Sequence, residues 1–167
     1  MLTLKPSKRY GVHKIFGPTI QGEGGMAGSV CHFVRLSGCN MWDGRPETRA
    51  ESQCPFCDTD FFSKTMMTAE QICEELVALG QVNWITISGG EPALQVDDYL
   101  VQTLHSQGWM VAIETNGTRK LKTNLVDHVT VSPKLPVEQT QVKRCHSLKL
   151  LYPHPNPLIY PEQYESL

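Results

Sequence analysis

The stretch WITISGGEP, Trp84 to Pro92, joins a short apolar run to a glycine-rich polar turn. A run of this length that is rich in Ile and Thr predicts a buried β-strand. Before it lies TAEQICEELVALG, where Thr68 and Gln71 predict a capping box and Gly80 can end the helix. After it, residues from about Asp97 to Gln107 predict a second helix. A strand flanked by helices indicates β/α units and a parallel sheet.

Four further runs predict strands of the same sheet: Val30 to Ser37, Met110 to Thr115, His128 to Ser132 and Ser147 to Tyr152. A complete eight-stranded β/α barrel needs roughly 250 residues, and this chain has 167. We therefore predict an α/β fold, a partial and open β/α barrel of about five or six mostly parallel strands. The prediction is a single domain over residues 1–167.

The composition excludes several classes of protein. The chain is 40% hydrophobic and 19% charged, with a net charge of −2, as expected for a globular domain. It has no basic run for nucleic acid and no apolar stretch of about 20 residues for a membrane. The N-terminal residues lack the apolar region of a signal peptide. We expect a soluble, cytoplasmic protein that binds neither nucleic acid nor membrane.

Six cysteines in a chain without an export signal indicate metal or redox chemistry rather than a disulfide framework. Cys39, Cys54 and Cys57 lie in an irregular loop at about residues 38–65, and so long a loop is usually functional. Their thiols suit an iron–sulfur cluster with one open iron, a zinc site, or plain packing, and the cysteines alone leave these alternatives open. The other three are interpreted as packing thiols: Cys31, Cys73 and Cys145.

Polar residues follow three successive predicted strands. They are the turns SGGEP at 88–92, ETNG at 114–117 and SPK at 132–134. The carboxyl ends of parallel strands meet at one edge, where β/α proteins bind ligands. One such turn is explained as a plain connection, with its glycines allowing close approach of the backbone. Three together predict a binding site.

Arg35 lies within the predicted strand VCHFVRLS and shares a face with Cys31 and Phe33. A guanidinium in an apolar strand needs an anionic partner, because an unpaired buried charge is costly. Planar recognition of a carboxylate is its usual role. The residues leave two partners open, a ligand carboxylate or Glu23 in a structural salt bridge.

Asp58 and Thr59 directly follow the last cysteine of the loop. Both offer the hard oxygen atoms that Mg²⁺ prefers. The alternative is that Asp58 caps the next turn.

Taken in order, six motifs resemble the 7-carboxy-7-deazaguanine synthase family of radical S-adenosylmethionine enzymes, which acts in queuosine and deazapurine biosynthesis. They are TIQGEG at 19–24, HFVRLSGCN at 32–40, CPFCDTD at 54–60, SGGEP at 88–92, IETNG at 113–117 and VSPK at 131–134. The resemblance runs from about residue 12 to 153. The spacing Cys-x14-Cys-x2-Cys is similar to that of one branch of the family.

The resemblance implies specific roles. Cys39, Cys54 and Cys57 would ligate a [4Fe–4S] cluster whose fourth iron binds S-adenosylmethionine, and Thr59 and Asp58 would bind Mg²⁺. The implied contacts to S-adenosylmethionine are Phe56, Cys57, Asp58, Gly89, Gly90, Glu91, Glu114, Ser132, Pro133 and Lys134. The implied contacts to substrate are Ile20, Gln21, Gly22, Glu23, Arg35 and Ser88. No side chain is implied as a catalytic group, since the radical forms on the cofactor. Lys149 can face the same lumen, and no role is assigned to it.

The implied activity is that of a carbon–nitrogen lyase acting on a small pterin. Hydrogen is abstracted at C6 of 6-carboxy-5,6,7,8-tetrahydropterin, the ring contracts while Mg²⁺ restrains the carboxylate, and ammonia leaves. The product is 7-carboxy-7-deazaguanine. The resemblance also implies an electron donor such as flavodoxin or ferredoxin, and a homodimer.

Members of the family usually continue for some tens of residues, with an LQP-type segment and a tail like QTHKYLN, and this sequence contains neither. Three alternatives stay open: the chain is truncated, it borrows a wall from a partner subunit, or it closes its pocket with Pro153 to Leu167. Two other functions stay open, a glycyl-radical activase and a non-catalytic protein that retains the cluster loop. The activase needs no small-carboxylate pocket, so TIQGEG, Arg35 and the threonine of CDTD speak against it.

Overall fold

The computed structural model describes residues 8–165 and 167, and within them seven strands form one sheet. The strands are β1 (Tyr10–Ile20), β2 (Val30–Leu36), β3 (Thr65–Met67), β4 (Trp84–Gly89), β5 (Met110–Thr115), β6 (His128–Val131) and β7 (Ser147–Leu148). Their order across the sheet is β3-β1-β2-β4-β5-β6-β7. Strands β2, β4, β5, β6 and β7 run parallel, and β1 is antiparallel to both β2 and β3.

The two predicted helices are present, as α1 (Ala69–Ala78) and α2 (Asp98–Ser106). The capping box of α1 is confirmed, because Gln71 N–H donates to Thr68 Oγ1 at 3.3 Å and Thr68 N–H donates to Gln71 Oε1 at 2.9 Å. Asp97 caps α2 by accepting from the N–H of Leu100 at 3.1 Å. Helix α1 precedes β4 and α2 links β4 to β5, so both are crossovers of the parallel sheet.

All five strands predicted from the sequence form the parallel part of the sheet. The bounds of β5 are as predicted, and those of β2, β4 and β6 differ by one residue at one end. Strand β7 is much shorter than the predicted run of residues 147–152, because it pairs with β6 only through Ser147 and Leu148.

The antiparallel edge, β1 and β3, was not predicted. The sequence of β1, YGVHKIFGPTI, contains Gly11, Gly17 and Pro18, which weaken a strand pattern. Its pairing with β2 is irregular between Val12 and Lys14 and between Phe16 and Thr19, so strict alternation of buried and exposed residues is lost. The sheet therefore has two more strands than the parallel set alone.

The faces of the central strands separate the core from the site. Ile85 and Ile87 of β4 are fully buried against the helices, in one core with Leu76 of α1 and Leu100 and Leu104 of α2. Thr86 and Ser88 alternate with them on the other face. Within the described residues, no helix combines the length and the apolar character needed to cross a bilayer.

The long loop between β2 and β3 spans residues 37–64 and contains one short 3-10 helix, Pro46–Glu51. Apolar side chains anchor it, since Met41, Trp42 and Phe61 are each at most 6% exposed. The Trp42 and Phe61 rings pack edge to face with centroids 5.5 Å apart. An irregular loop is thereby held in one place beside the sheet.

Candidate functional site

A cavity of about 690 Å³ opens at the carboxyl ends of the parallel strands, between the sheet and the cysteine loop. Nearly all of the residues implied by the resemblance line it: Ile20, Gln21, Gly22, Glu23, Arg35, Cys39, Cys54, Phe56, Cys57, Asp58, Thr59, Ser88, Gly89, Gly90, Glu114, Ser132 and Lys134. Glu91 and Pro133 do not line it; both are buried behind its wall. The structure therefore brings together side chains spread over more than a hundred positions of the sequence.

The three loop cysteines line this same cavity as free thiols. Burial raises the pKa of Cys39, and it raises the pKa of Cys54 to about 11 although Lys134 opposes the shift. Burial therefore favours the protonated thiols of Cys39 and Cys54, and metal binding must release their protons. Among the described residues, no three His, Cys, Asp or Glu side chains are close enough to bind one metal ion. A cubane cluster needs a wider spacing, because each thiolate binds a different iron.

The two glycines of SGGEP allow strand β4 to approach the end of strand β2. A Cβ on Gly90 would lie 2.0 Å from the carbonyl oxygen of Gly38, and one on Gly89 would lie 2.1 Å from that of Leu36. Gly90 N–H donates to Leu36 O at 2.9 Å. The sequence predicted that these glycines admit a ligand, but the close approach in the structure is to the backbone that leads into Cys39.

Glu91 is fully buried, and its carboxylate is held by three donors. Thr115 Oγ1 and the N–H of Ala93 donate to Oε1 at 2.6 and 2.8 Å, and the N–H of Asn116 donates to Oε2 at 2.7 Å. Its own N–H donates to Gly38 O at 2.8 Å. Burial raises the pKa of Glu91 against the effect of these hydrogen bonds. Glu91 therefore joins the ends of β4 and β5 from behind the cavity wall, and its direct contact with the cofactor stays a prediction.

Arg35 lies on the cavity face of β2 and has no carboxylate partner among the described residues. Its Nε atom is buried and makes no hydrogen bond. The guanidinium lies 5.6 Å from the centre of the Phe16 ring, which stacks on Phe33 at 5.1 Å. The alternative of a salt bridge between Arg35 and Glu23 is contradicted, because Glu23 pairs with Lys149 instead.

Lys149, to which the sequence assigned no role, lies at the centre of a polar network in the cavity. Its Nζ atom is 2.7 Å from Glu23 Oε2 and 3.5 Å from Glu114 Oε2. Gln21 Nε2 donates to Glu114 Oε1 at 2.8 Å. The ends of β1, β5 and β7 are therefore linked by charged and amide side chains.

Lys134 and Phe56 form the wall beside the cysteines. Lys134 Nζ donates to Ser132 Oγ at 2.8 Å and lies 5.7 Å from the centre of the Phe56 ring. Burial lowers the pKa of Lys134, and the nearby Cys54 opposes this shift. Asp58 and Thr59 lie beside each other on the cavity wall, with Thr59 Oγ1 donating to Asp58 Oδ1 at 3.3 Å.

Asn116 is a site residue within the motif ETNG, and the sequence indicates no role for it. Its Nδ2 atom donates to Asn40 Oδ1 at 3.2 Å and lies 4.0 Å from Cys39 Sγ. Asn40 Nδ2 in turn donates to Thr118 Oγ1 at 2.9 Å. The motif contains the signal, an Asn at a strand end, but only the fold reveals that it faces the first cysteine.

The segment from Tyr152 onward packs behind the cavity, and its described residues do not line it. The ring of His154 meets Phe56 edge to face at 5.4 Å, and Tyr164 Oη donates to Leu135 O at 2.7 Å. Leu150 and Leu151 are the last residues of the chain that line the cavity. The described residues therefore contradict the expectation that residues 153–167 close the cavity.

Comparison with known proteins identifies several relatives, although no family model matches the chain. The 7-carboxy-7-deazaguanine synthases of Bradyrhizobium diazoefficiens and Caulobacter vibrioides are each 40% identical, over 95% of this chain and 78% of theirs. That of Nitratidesulfovibrio vulgaris is 42% identical, over 95% of this chain and 77% of its own. The crystal structure of QueE from Escherichia coli matches with a TM-score of 0.64 and 26% identity, covering 78% of this chain and 62% of that one.

Proposed function

The chain belongs to the 7-carboxy-7-deazaguanine synthase family of radical S-adenosylmethionine lyases, and on that premise we propose which of its residues carry out the reaction. The reaction converts 6-carboxy-5,6,7,8-tetrahydropterin to 7-carboxy-7-deazaguanine with loss of ammonia. It requires a site that holds a small anionic pterin next to the place where the radical forms.

The observation that carries the proposal is the unpaired guanidinium of Arg35. A half-buried cation with a buried Nε atom and no partner in the described part of the chain is unfavourable unless a ligand supplies the missing anion. The substrate carboxylate is such an anion, and a guanidinium binds it through two parallel hydrogen bonds. Arg35 would therefore anchor the substrate, with Ile20, Gln21, Gly22, Glu23 and Ser88 around the ring.

Cys39, Cys54 and Cys57 would hold the [4Fe–4S] cluster. The donor set fits, because three reduced thiols line one cavity and no other described cysteine does. When bound, the cluster and S-adenosylmethionine supply the radical chemistry that removes hydrogen from the substrate. The protein contributes position: the loop is fixed by Trp42 and Phe61, and the start of the loop is fixed by the contact of Gly90 with Gly38.

S-adenosylmethionine would lie along the wall formed by the ends of β4, β5 and β6. The residues proposed to contact it are Phe56, Cys57, Asp58, Gly89, Gly90, Glu114, Ser132 and Lys134, all of which line the cavity. Glu91 and Pro133, the two further contacts that the resemblance implies, lie behind this wall, and their direct contact with S-adenosylmethionine stays a prediction. Lys134 is well suited to an anionic group of the ligand, since its ammonium has only a neutral hydrogen-bond partner, Ser132 Oγ.

Thr59 and Asp58 would bind Mg²⁺ against the substrate carboxylate. Their side-chain oxygens lie together on the cavity wall, and Mg²⁺ commonly combines one or two protein oxygens with oxygens of the substrate. The ion would then help the guanidinium of Arg35 to restrain the carboxylate.

We further propose that the chain works as a single domain in a cytoplasmic homodimer and receives its electron from a flavodoxin or a ferredoxin. The support is the family membership together with the requirement of the reaction for one-electron reduction. The cysteine loop of residues 37–64 would be the cluster-binding insertion of this domain.

The experiment that tests the proposal is anaerobic incubation of the reconstituted protein with reductant, S-adenosylmethionine, Mg²⁺ and 6-carboxytetrahydropterin. We expect 7-carboxy-7-deazaguanine to appear, and we expect the rate of its formation to fall when Mg²⁺ is omitted. Deoxyadenosine without the deazapurine would contradict the substrate assignment, and colourless protein with one zinc would contradict the cluster.

A matched pair of cysteine variants tests the ligand set. Cys57→Ala removes a thiol that lines the cavity, and Cys145→Ala removes one that does not. We expect Cys57→Ala to lose the brown colour and the iron, and Cys145→Ala to keep about four irons per chain. Equal iron content in the two variants would contradict the assignment.

A further inference from the structure

Lys149 occupies a position between the elements that form the substrate side of the cavity. Its N–H donates to Val131 O at 2.8 Å, which continues the pairing of β7 with β6 by one residue and fixes where the side chain starts. From there its ammonium contacts Glu23 in the loop after β1 and Glu114 in strand β5. One cation therefore holds carboxylates from two separate parts of the sheet.

The network closes through Gln21. Gln21 Nε2 donates to Glu114 Oε1 at 2.8 Å, while its Oε1 accepts from the N–H of Glu23 at 3.2 Å. Gln21 is only 5% exposed, so its amide is held in this orientation. The same glutamine thus holds the carboxylate of Glu114 and the backbone of Glu23.

The charges on the cavity wall are balanced, but they are unevenly paired. The cations that line it are Arg35, Lys134 and Lys149, and the carboxylates that line it are Glu23, Asp58 and Glu114. Lys149 contacts two of the carboxylates, whereas Arg35 contacts none within the described residues. Arg35 and Lys134 are both left without a carboxylate partner, and of the two only the guanidinium of Arg35 can bind a carboxylate through two parallel hydrogen bonds.

The surroundings of Lys149 favour the protonated, charged form of its side chain. Burial lowers the pKa of Lys149, but the hydrogen bond to Glu23 and the nearby Glu114 outweigh burial and raise the pKa above its ordinary value. The contact with Glu23 is partly screened by water, because the side chain of Glu23 is 64% exposed. The side chain of Glu114 is only 19% exposed, so water screens the contact of Lys149 with Glu114 less than the contact with Glu23.

We propose that Lys149 is a positioning residue that sequesters Glu23 and Glu114 and thereby leaves Arg35 available to the carboxylate of the substrate. Without this ammonium the wall has one net negative charge more, and two carboxylates without a cation compete with the substrate for Arg35. Both effects weaken binding of a carboxylated pterin and leave a pterin without the carboxylate largely unaffected. The inference rests on the proposed function, since it takes Arg35 as the carboxylate anchor.

The test measures the dissociation constants of 6-carboxytetrahydropterin and of tetrahydropterin, which lacks the carboxylate, for the reconstituted holoenzyme. Their ratio is the carboxylate preference. We expect Lys149→Met and Lys149→Gln to lower this preference about tenfold, and Lys149→Arg to retain most of it. Lys120→Met is the matched control, because Lys120 is exposed and has no ion pair in the described part of the chain.

A double-mutant cycle shows whether Lys149 acts through Arg35. If it does, Lys149→Met changes the preference less than about twofold in an Arg35→Met background. Equal losses in both backgrounds, or an unchanged preference in Lys149→Met, would overturn the inference. Unfolding of both neutral variants would also overturn it, because Lys149 would then be a determinant of stability. A wild-type protein without any carboxylate preference would instead refute the proposed role of Arg35.

Discussion

Two ionisable side chains, the fully buried Glu91 and the half-buried Arg35, lie on opposite sides of strand β4, and the protein treats them differently. On the β5 side, the carboxylate of Glu91 is 0% exposed and accepts three hydrogen bonds from the protein. On the β2 side, the guanidinium of Arg35 faces the cavity with no ion pair in the described residues and a buried Nε atom without a partner. A charge whose partners the fold supplies holds the structure together, whereas a charge left without partners is where a ligand binds.

The largest expected effect is on the Glu91 side. Glu91→Ala leaves Thr115 Oγ1 and the N–H groups of Ala93 and Asn116 without their acceptor. Each buried donor left unpaired costs about 1–3 kcal/mol, so we expect a loss of about 3 kcal/mol or more in the free energy of unfolding. Urea denaturation measures it, with the exposed Glu47→Ala as control. A loss similar to that of Glu47→Ala would mean that Glu91 is not structural.

Arg35→Met tests the other side of the comparison. We expect substrate binding to weaken at least about a hundredfold, or about 2.7 kcal/mol, while the stability and the iron content are unchanged. Lys14→Met is the matched control, because Lys14 also stacks on the Phe16 ring, at 5.6 Å, but does not line the cavity. If Arg35→Met loses stability and iron together, Arg35 is structural and the contrast with Glu91 disappears.

A third pair of variants compares a bonded hydroxyl with an unbonded one. Thr115→Val removes a hydrogen bond to the Glu91 carboxylate while keeping the shape of the side chain. We expect a loss of about 1.5–2 kcal/mol in the free energy of unfolding. Thr86 is equally buried, but its hydroxyl has no hydrogen-bond partner in the described residues. Thr86→Val should change stability by less than about 0.5 kcal/mol, and equal effects in thermal or urea unfolding would contradict this interpretation.

The smallest expected effect concerns a histidine at the far end of the sheet. Burial lowers the pKa of His128, and His146, which stacks on it at 5.0 Å, adds to the shift. His128 therefore binds a proton more readily in the unfolded chain than in the folded protein. The contribution of neutral His128 to the free energy of unfolding is present above pH 6.5 and is lost as the pH falls below that value. The ring is only partly buried, so we expect under about 1 kcal/mol. Urea unfolding at pH 7.5 and 5.5 should show a smaller pH effect in His128→Gln than in the wild type, and equal effects would contradict the shift.

The sequence predicted the parallel part of the fold well, for identifiable reasons. Apolar runs such as Met110–Thr115 and the capping box of Thr68 with Gln71 are local signals, and local signals survive folding. Strand β1 was missed because Gly17 and Pro18 interrupt its pattern, and β3 was missed because its three residues are too few to show one. A strand whose pattern is broken by bulges is defined by its partners.

The site shows the same division between local and distant signals. The resemblance identified the cysteines, Arg35 and the three strand-end turns, and the structure gathers them around one cavity. The hydrogen bonds from Thr115 and Asn116 to the Glu91 carboxylate had no signal in the motif, because they join the ends of two different strands. Lys149 carried no motif, because its importance depends on Glu23 and Glu114, which lie far away in the sequence.

The sequence by itself determined which chemical groups this protein possesses: three thiols at fixed spacing, a guanidinium in an apolar strand and polar turns after strands. Residue type and short spacing fix these, because they depend only on the chain near each residue. The tertiary structure alone decided which charges are neutralised within the protein and which are left for a ligand. That pairing depends on distances between strands that are remote in sequence, and those distances exist only once the sheet has formed.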